Sequence, residues 1–149
     1  MMFTIDGLDY TIRDSKDEDY DFVYNLLKTN MYDAFMKHWG GWNPESFKKE
    51  FIKRRFKIVE CAGEKVAFYD LGFKEGFSYV FNIQIVKSMQ RKGLGKFLIG
   101  LIEKETKKHE LNKIRLKVFE DNFAKDFYLD LGFKEVRVEG TSVVLEKDL

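Results

Sequence analysis

A chain of 149 residues has the length of one domain, and 44% hydrophobic with 16% aromatic content is ample for a packed core, which excludes a disordered chain. Lysine and arginine total 26 against 25 aspartates and glutamates, a formal net charge of +1, so no global field directs the protein to nucleic acid or to an anionic membrane. The single cysteine, Cys61, has no partner for an intramolecular disulfide, and neither a signal-peptide core nor an apolar run of spanning length occurs, so the expected setting is cytoplasmic, away from membranes.

The pattern predicts a first strand over Tyr10–Arg13, then a helix start at Ser15-Lys16-Asp17-Glu18, where Ser and Glu three apart form a capping-box signature. Tyr20, Val23, Tyr24, Leu27, Met31, Ala34 and Phe35 recur at helical spacing until Gly40-Gly41 ends the series. Asn43 as N-cap and Pro44 at the first helical position restart it, with Phe47 and Phe51 as the buried stripe of a second helix. The basic residues Lys48, Lys49, Lys53, Arg54 and Arg55 interleave with Glu45 and Glu50, which reads as a solvated helix face rather than a nucleic-acid surface.

Phe56–Cys61, Lys65–Leu71 and Phe77–Val86 read as an antiparallel meander of strands separated by turns near Gly63 and Gly76. Cys61 falls in the first of them and reads as a small core residue rather than a nucleophile, since no histidine is near it. A helix over Leu94–His109 buries Leu94, Phe97, Leu98, Leu101 and Ile102, with Glu103 and Lys107 as an exposed i,i+4 pair. His109 near its C-terminus complements the helix dipole.

Ile114, Leu116 and Val118 alternate with Arg115 and Lys117 in a strand that the preceding helix allows to lie parallel to Phe77–Val86 through a right-handed crossover. A short helix over Ala124–Leu131 closes at Gly132, and Phe133–Val138 with Ser142–Leu145 forms a hairpin around Gly140. The expectation is a single domain over residues 1–149, of mixed α/β (α+β) class, with a largely antiparallel sheet of about six to seven strands and about four helices. Two distant histidines and one cysteine give no metal-ligand spacing.

Between the Phe77–Val86 strand and the long helix stands Gln90-Arg91-Lys92-Gly93-Leu94-Gly95-Lys96. Two glycines separated by one residue let the backbone curl so that N–H groups face an anion at the helix N-terminus, and Arg91, Lys92 and Lys96 add positive charge. The spacing is not that of a P-loop, because Gln90 stands five before Gly95 and Lys96 is followed by Phe97. It is not a dinucleotide fingerprint either, since Leu98 stands where the third glycine belongs and no acidic residue closes a second strand about 20 residues on.

The arrangement Gln90-x-x-Gly93-x-Gly95, after a strand and opening a helix, resembles the acyl-CoA-binding motif of the GNAT superfamily of N-acetyltransferases. The resemblance extends through Ile83-Gln84-Ile85, Lys113–Phe119 and Ala124-x-x-x-Tyr128-x-x-x-Gly132-Phe133, covering residues from about 56 to 136 closely. It implies acetyl-CoA as cosubstrate, an amine as acceptor, direct attack in a ternary complex, and no metal. It further implies that backbone groups of Ile83 and Ile85 bind the pantetheine arm, with the Ile85 N–H on the thioester carbonyl oxygen. The turn from Gln90 to Lys96 would hold the pyrophosphate, and Asn122 stands two before the matched Ala124, near the position where the family often places an asparagine that bonds the cofactor arm.

By the same resemblance Tyr128 matches the tyrosine that protonates the leaving thiolate; read from the residues alone it is a packed tyrosine on an amphipathic helix. The strand glutamate that many members use as a base is replaced by Tyr79, six residues ahead of Ile85. An ordered water, Glu120 or Asp70 is left for that role, and a non-catalytic acyl-CoA-binding sensor or interaction domain stands as the alternative function. His38-Trp39-Gly40-Gly41-Trp42 lies between the first two helices, where the family shapes its acceptor site, so Trp39 and Trp42 either wall the amine site or plug the core. His38 reads as a structural hydrogen-bonding residue. The acceptor itself, a small molecule or a protein amine, is not specified, and a homodimer is a common arrangement among the proteins resembled.

Overall fold

The structure, a computed structural model of the chain, describes residues 1–53 and 56–149. Arg54 and Arg55, expected on the basic face of the second helix, lie outside the described residues. The elements in chain order are β1 (Met2–Ile5), β2 (Leu8–Asp14), α1 (Tyr20–Trp39), α2 (Pro44–Lys53), β3 (Lys57–Cys61) and β4 (Glu64–Lys74). There follow β5 (Phe77–Ile85), α3 (Leu94–Lys108), β6 (Lys113–Phe119), α4 (Ala124–Asp130), β7 (Lys134–Glu139) and β8 (Ser142–Asp148). Among the described residues the eight strands take the order β1-β2-β3-β4-β5-β6-β8-β7. This is a mixed α/β fold with an open, mostly antiparallel sheet. Packing divides the chain into two compact units, Met1–Asp70 with Asn82–Leu94, and Leu71–Phe81 with Gly95–Leu149.

In the first unit, one strand more than expected comes from the N-terminus. Ile5 pairs with Leu8 across a two-residue loop in which Asp6 and Gly7 take φ of 48° and 81°. Positive φ at both loop residues is the hairpin turn that matches strand twist, and Asp-Gly is its commonest sequence. The helix start also differs from the capping box read at Ser15 and Glu18. Ser15 is buried and its hydroxyl oxygen accepts the Phe56 N–H at 3.1 Å, whereas Asp19 reaches back to the Lys16 N–H at 2.7 Å. A short 3-10 turn over Asp17–Asp19 therefore precedes α1.

Helix α1 buries Val23, Leu26, Leu27 and Phe35 and ends at Gly40, whose N–H donates to the Met36 carbonyl, with the Gly41 N–H on Phe35. Asn43 caps α2 as its sequence requires, accepting the N–H groups of Glu45 and Ser46 at 2.9 and 3.3 Å. Phe51 and Phe56 are buried, and their rings meet at 5.2 Å, with Tyr20 on Phe51 and Phe68 on Phe56. Aromatic edge contacts of this kind add about 0.5–1.5 kcal/mol each beyond area burial.

In the second unit β5 and β6 run parallel, with Ser78, Tyr79 and Val80 opposite Ile114, Arg115 and Leu116. The long helix α3 between them supplies the crossover. Its buried positions include Leu98, Ile99, Ile102 and Thr106, while Phe97 and Leu101 are only half-buried, so the stripe sits one position round from the sequence reading. Glu103 is bonded not to Lys107 but to Lys147 of β8, at 2.5 Å. Strand β8 pairs with β6 on one side and β7 on the other, which buries Val143, Val144 and Leu145 and leaves β7 exposed throughout.

Candidate functional site

The turn that opens α3 places two residues in the left-handed region. Arg91 has φ of 60° and Gly93 φ of 85°, whereas Gly95 lies within the helix. The pair of glycines therefore does not act as a pair: the curl is made by Arg91 and Gly93, and a residue with a Cβ occupies one of the two left-handed positions. Gly93 is needed at the other because a side chain costs about 1–2 kcal/mol there, although an added Cβ meets nothing nearer than Ile5 at 3.8 Å. Arg91, Lys92 and Lys96 are exposed and form no ion pair among the described residues. The first N–H groups of α3 have no intrahelical acceptor, and positive potential from helix and cations points the same way. Leu94 is 1% exposed, so its side chain is core and only its backbone faces this turn.

Gln90 has another task. Its Nε2 donates to the Ile85 carbonyl at 2.9 Å and its backbone N–H donates to Lys87, so neither is directed at an anion in this structure. The same carbonyl accepts from Asn30 Nδ2 of α1 at 3.1 Å, and that nitrogen also donates to Gln84 Oε1 at 3.1 Å. Gln84 Nε2 in turn donates to Asn82 Oδ1 at 2.9 Å. The end of β5 that carries Ile83 and Ile85 is thus held by side-chain amides from a helix and a turn.

In the second unit Tyr128 of α4 is 6% exposed, its ring packed edge-on against Phe127 and Phe133 at 5.2 and 5.5 Å. Burial pushes its phenol above the ordinary tyrosine range, so it stays protonated beyond the pH at which an exposed tyrosine ionises. Asn122 accepts the Ala124 N–H on Oδ1 at 2.9 Å, so that oxygen is engaged within the chain. Glu120 is exposed at the end of β6. Tyr79 is half-buried between Phe77 and Phe81.

The link between α1 and α2 treats its two tryptophans differently. Trp39 is 60% exposed and lies flat on Phe35, centroids 4.6 Å apart and planes 8° from parallel. Trp42 is half-buried, edge-on to Phe35 and Tyr24, and its indole N–H is buried without an acceptor among the described residues. Asp70 of β4 is 1% exposed, far more enclosed than a surface carboxylate. Cys61 is half-exposed rather than core and lines a shallow groove with Leu8, Glu64, Lys65 and Met89, a groove that none of the expected site residues enters.

Asn30 is the residue at this site that sequence reasoning did not single out. It sits on a helix between apolar positions, where an asparagine carries no local signal, and only the approach of α1 to the end of β5 reveals its partner. Among the described residues no cluster of three or more His, Cys, Asp or Glu is placed to hold a metal ion, and no helix is long and apolar enough to cross a membrane.

Known structures share this architecture. The PaiA N-acetyltransferase from Thermoplasma acidophilum in complex with coenzyme A superposes with a TM-score of 0.72 at 19% identity, covering 94% of this chain and 99% of that one. A GNAT family acetyltransferase from Listeria monocytogenes gives 0.74 at 17% identity over 100% of both chains. One from Elizabethkingia anophelis with acetyl-CoA bound gives 0.71 at 15%, over 94% and 98%. At such identities the likeness speaks for the fold alone. The family model for the acetyltransferase (GNAT) domain matches residues 28–143, most of the chain and every element from mid-α1 into β8, and on that match the protein belongs to the GNAT acetyltransferase family.

Proposed function

We propose that the protein is an N-acetyltransferase that moves the acetyl group of acetyl-CoA to a primary amine by direct attack in a ternary complex. The observation that carries this reading is the left-handed turn Arg91–Gly93 opening α3, with helix-start N–H groups lacking intrahelical acceptors and three cations without ion-pair partners among the described residues, in a chain of the GNAT family. Relatives in fold are described with coenzyme A and with acetyl-CoA. Acetyl-CoA supplies the activated acetyl group.

Arg91, Lys92, Lys96 and the N–H groups from Gly93 onward take the pyrophosphate, which helix dipole and charge both favour. Backbone groups of Ile83 and Ile85 align the pantetheine arm, and the Ile85 N–H donates to the thioester carbonyl oxygen as charge develops there. The acceptor nitrogen forms a bond to the carbonyl carbon as the carbon–sulfur bond breaks. Tyr128 gives its proton to the departing thiolate, the surplus proton on nitrogen passes to water or to Glu120 or Asp70, and solvent returns a proton to the Tyr128 phenolate. Trp39 presents a flat exposed face to the acceptor. A cytoplasmic setting accompanies this reading, in keeping with the free thiol of Cys61.

Free thiol release from acetyl-CoA, followed over a panel of primary amines, tests the proposal. The expected result is amine-dependent release with a stoichiometric N-acetyl product by mass spectrometry. A second reading, an acyl-CoA-binding module without turnover, is favoured by Tyr79 at the position where many members carry the basic glutamate. Tight acetyl-CoA binding with no thiol release from any amine decides for it.

A further inference from the structure

We propose that Asn30 is a positioning residue for acetyl transfer, which together with Gln90 caps the Ile85 carbonyl and so lets the N–H of the same residue serve the reacting carbonyl oxygen. The inference deepens the acetyltransferase reading and rests on it. In an extended strand the N–H and C=O of one residue face the same edge, and those of the next residue face the other. The Val86 N–H donates to Val66 of β4 at 2.9 Å, so Ile85 presents both its polar groups away from β4. Its carbonyl oxygen takes Asn30 Nδ2 at 3.1 Å and Gln90 Nε2 at 2.9 Å. A carbonyl only accepts, so both amides must turn their NH₂ groups toward it, and two donors satisfy its two lone pairs.

The consequence is electrostatic. An uncapped carbonyl beside the Ile85 N–H would set a negative pole against the oxygen on which charge develops during transfer. Two amide donors offset that pole, and they fix the peptide so that the N–H direction is set before the cosubstrate arrives. Asn30 also holds the Gln84 side chain, so one amide from α1 secures two consecutive residues of the strand end.

The test compares wild type with Asn30→Ala and with the isosteric Asn30→Asp, which lacks the donors when ionised. Turnover and Michaelis constants are measured alongside affinities for coenzyme A and acetyl-CoA by calorimetry, with a thermal melt for each protein. The expected result is a fall of about tenfold or more in kcat, less than the loss of a direct oxyanion donor, with coenzyme A affinity within about twofold. The preference for acetyl-CoA over coenzyme A should shrink, a change that a purely structural role does not produce. Folded variants that keep both wild-type kcat and wild-type acetyl preference overturn the proposal. A wild-type protein that releases no thiol with any amine overturns the acetyltransferase reading instead, and the acetyl preference alone then decides the role of Asn30.

Discussion

Arg13 holds both carboxylate oxygens of Asp19, Nη1 at 2.7 Å from Oδ2 and Nη2 at 2.9 Å from Oδ1, joining strand β2 to the residue that starts α1. Lys65 of β4 adds an ion pair at 2.6 Å and the Lys16 N–H a further bond, and Asp19 is fully buried. Hydrogen bonds from Arg13, ahead of the opposing effect of burial, hold its carboxyl well below the usual aspartate range. The stabilisation is therefore complete above the ordinary carboxylate pKa, and it is lost as pH falls from about 4 toward the lower folded value. Wild-type stability, measured by urea unfolding, should drop between about pH 4 and 2. Asp19→Asn should be about 3–5 kcal/mol less stable at pH 7, and should lose less between pH 4 and 2.

At Gly93 the backbone conformation, not space, limits substitution. Gly93→Val should cost about 1–2 kcal/mol in a melt or denaturant titration, leaving a folded protein. Coenzyme A affinity should fall by about tenfold or more as the turn changes shape. A folded variant with unchanged affinity in calorimetry would falsify the phosphate site.

The Tyr128 hydroxyl makes no hydrogen bond among the described residues, so Tyr128→Phe keeps the packing against Phe127 and Phe133. Tm should change little. Turnover should fall by about tenfold to a hundredfold with the acetyl-CoA Michaelis constant nearly constant, because the proton is needed only as charge reaches sulfur. With its phenol raised by burial, Tyr128 should also leave no titration in the wild-type rate profile up to about pH 10. Wild-type turnover on the true acceptor, under conditions where chemistry limits, reduces Tyr128 to a packing residue.

Trp39 and Trp42 should separate in their effects. Trp39→Ala removes a mostly exposed ring and should raise the acceptor Michaelis constant severalfold, leave coenzyme A affinity intact and cost about 1 kcal/mol. Trp42→Ala removes a ring packed on Phe35 and Tyr24 and should cost about 3 kcal/mol of stability. Kinetics and melts on both proteins check this; unchanged acceptor kinetics in both means that the link is structural.

Local chemistry was enough to read most of the elements. Asn43-Pro44 at the start of α2, Gly40 at the end of α1, alternation in Ile114, Leu116 and Val118, and the breaks at Gly63, Gly76, Gly132 and Gly140 each act through their own backbone or nearest neighbours. The Asp6-Gly7 hairpin carried an equally local signal, and its first strand lay outside the reading because Met2–Ile5 alternates weakly. The turn over Gln90–Lys96 was likewise readable as a break between strand and helix, but which of its residues bends was not. Positive φ falls at Arg91 and Gly93, whereas Gly95 already lies within α3.

Long-range partners were beyond any local pattern. Ser15 bonds Phe56, Asp19 gathers Arg13 and Lys65, Glu103 takes Lys147 in place of Lys107, and Asn30 finds the Ile85 carbonyl. Ser15 and Glu103 each have a plausible neighbour in sequence and a different partner in space. Burial makes an unsatisfied polar group costly, so the partner is chosen by whichever element the hydrophobic core brings within reach. Motif spacing and periodicity come from bonded geometry and can be read along the chain; the choice of partner comes from packing, which only the folded chain specifies.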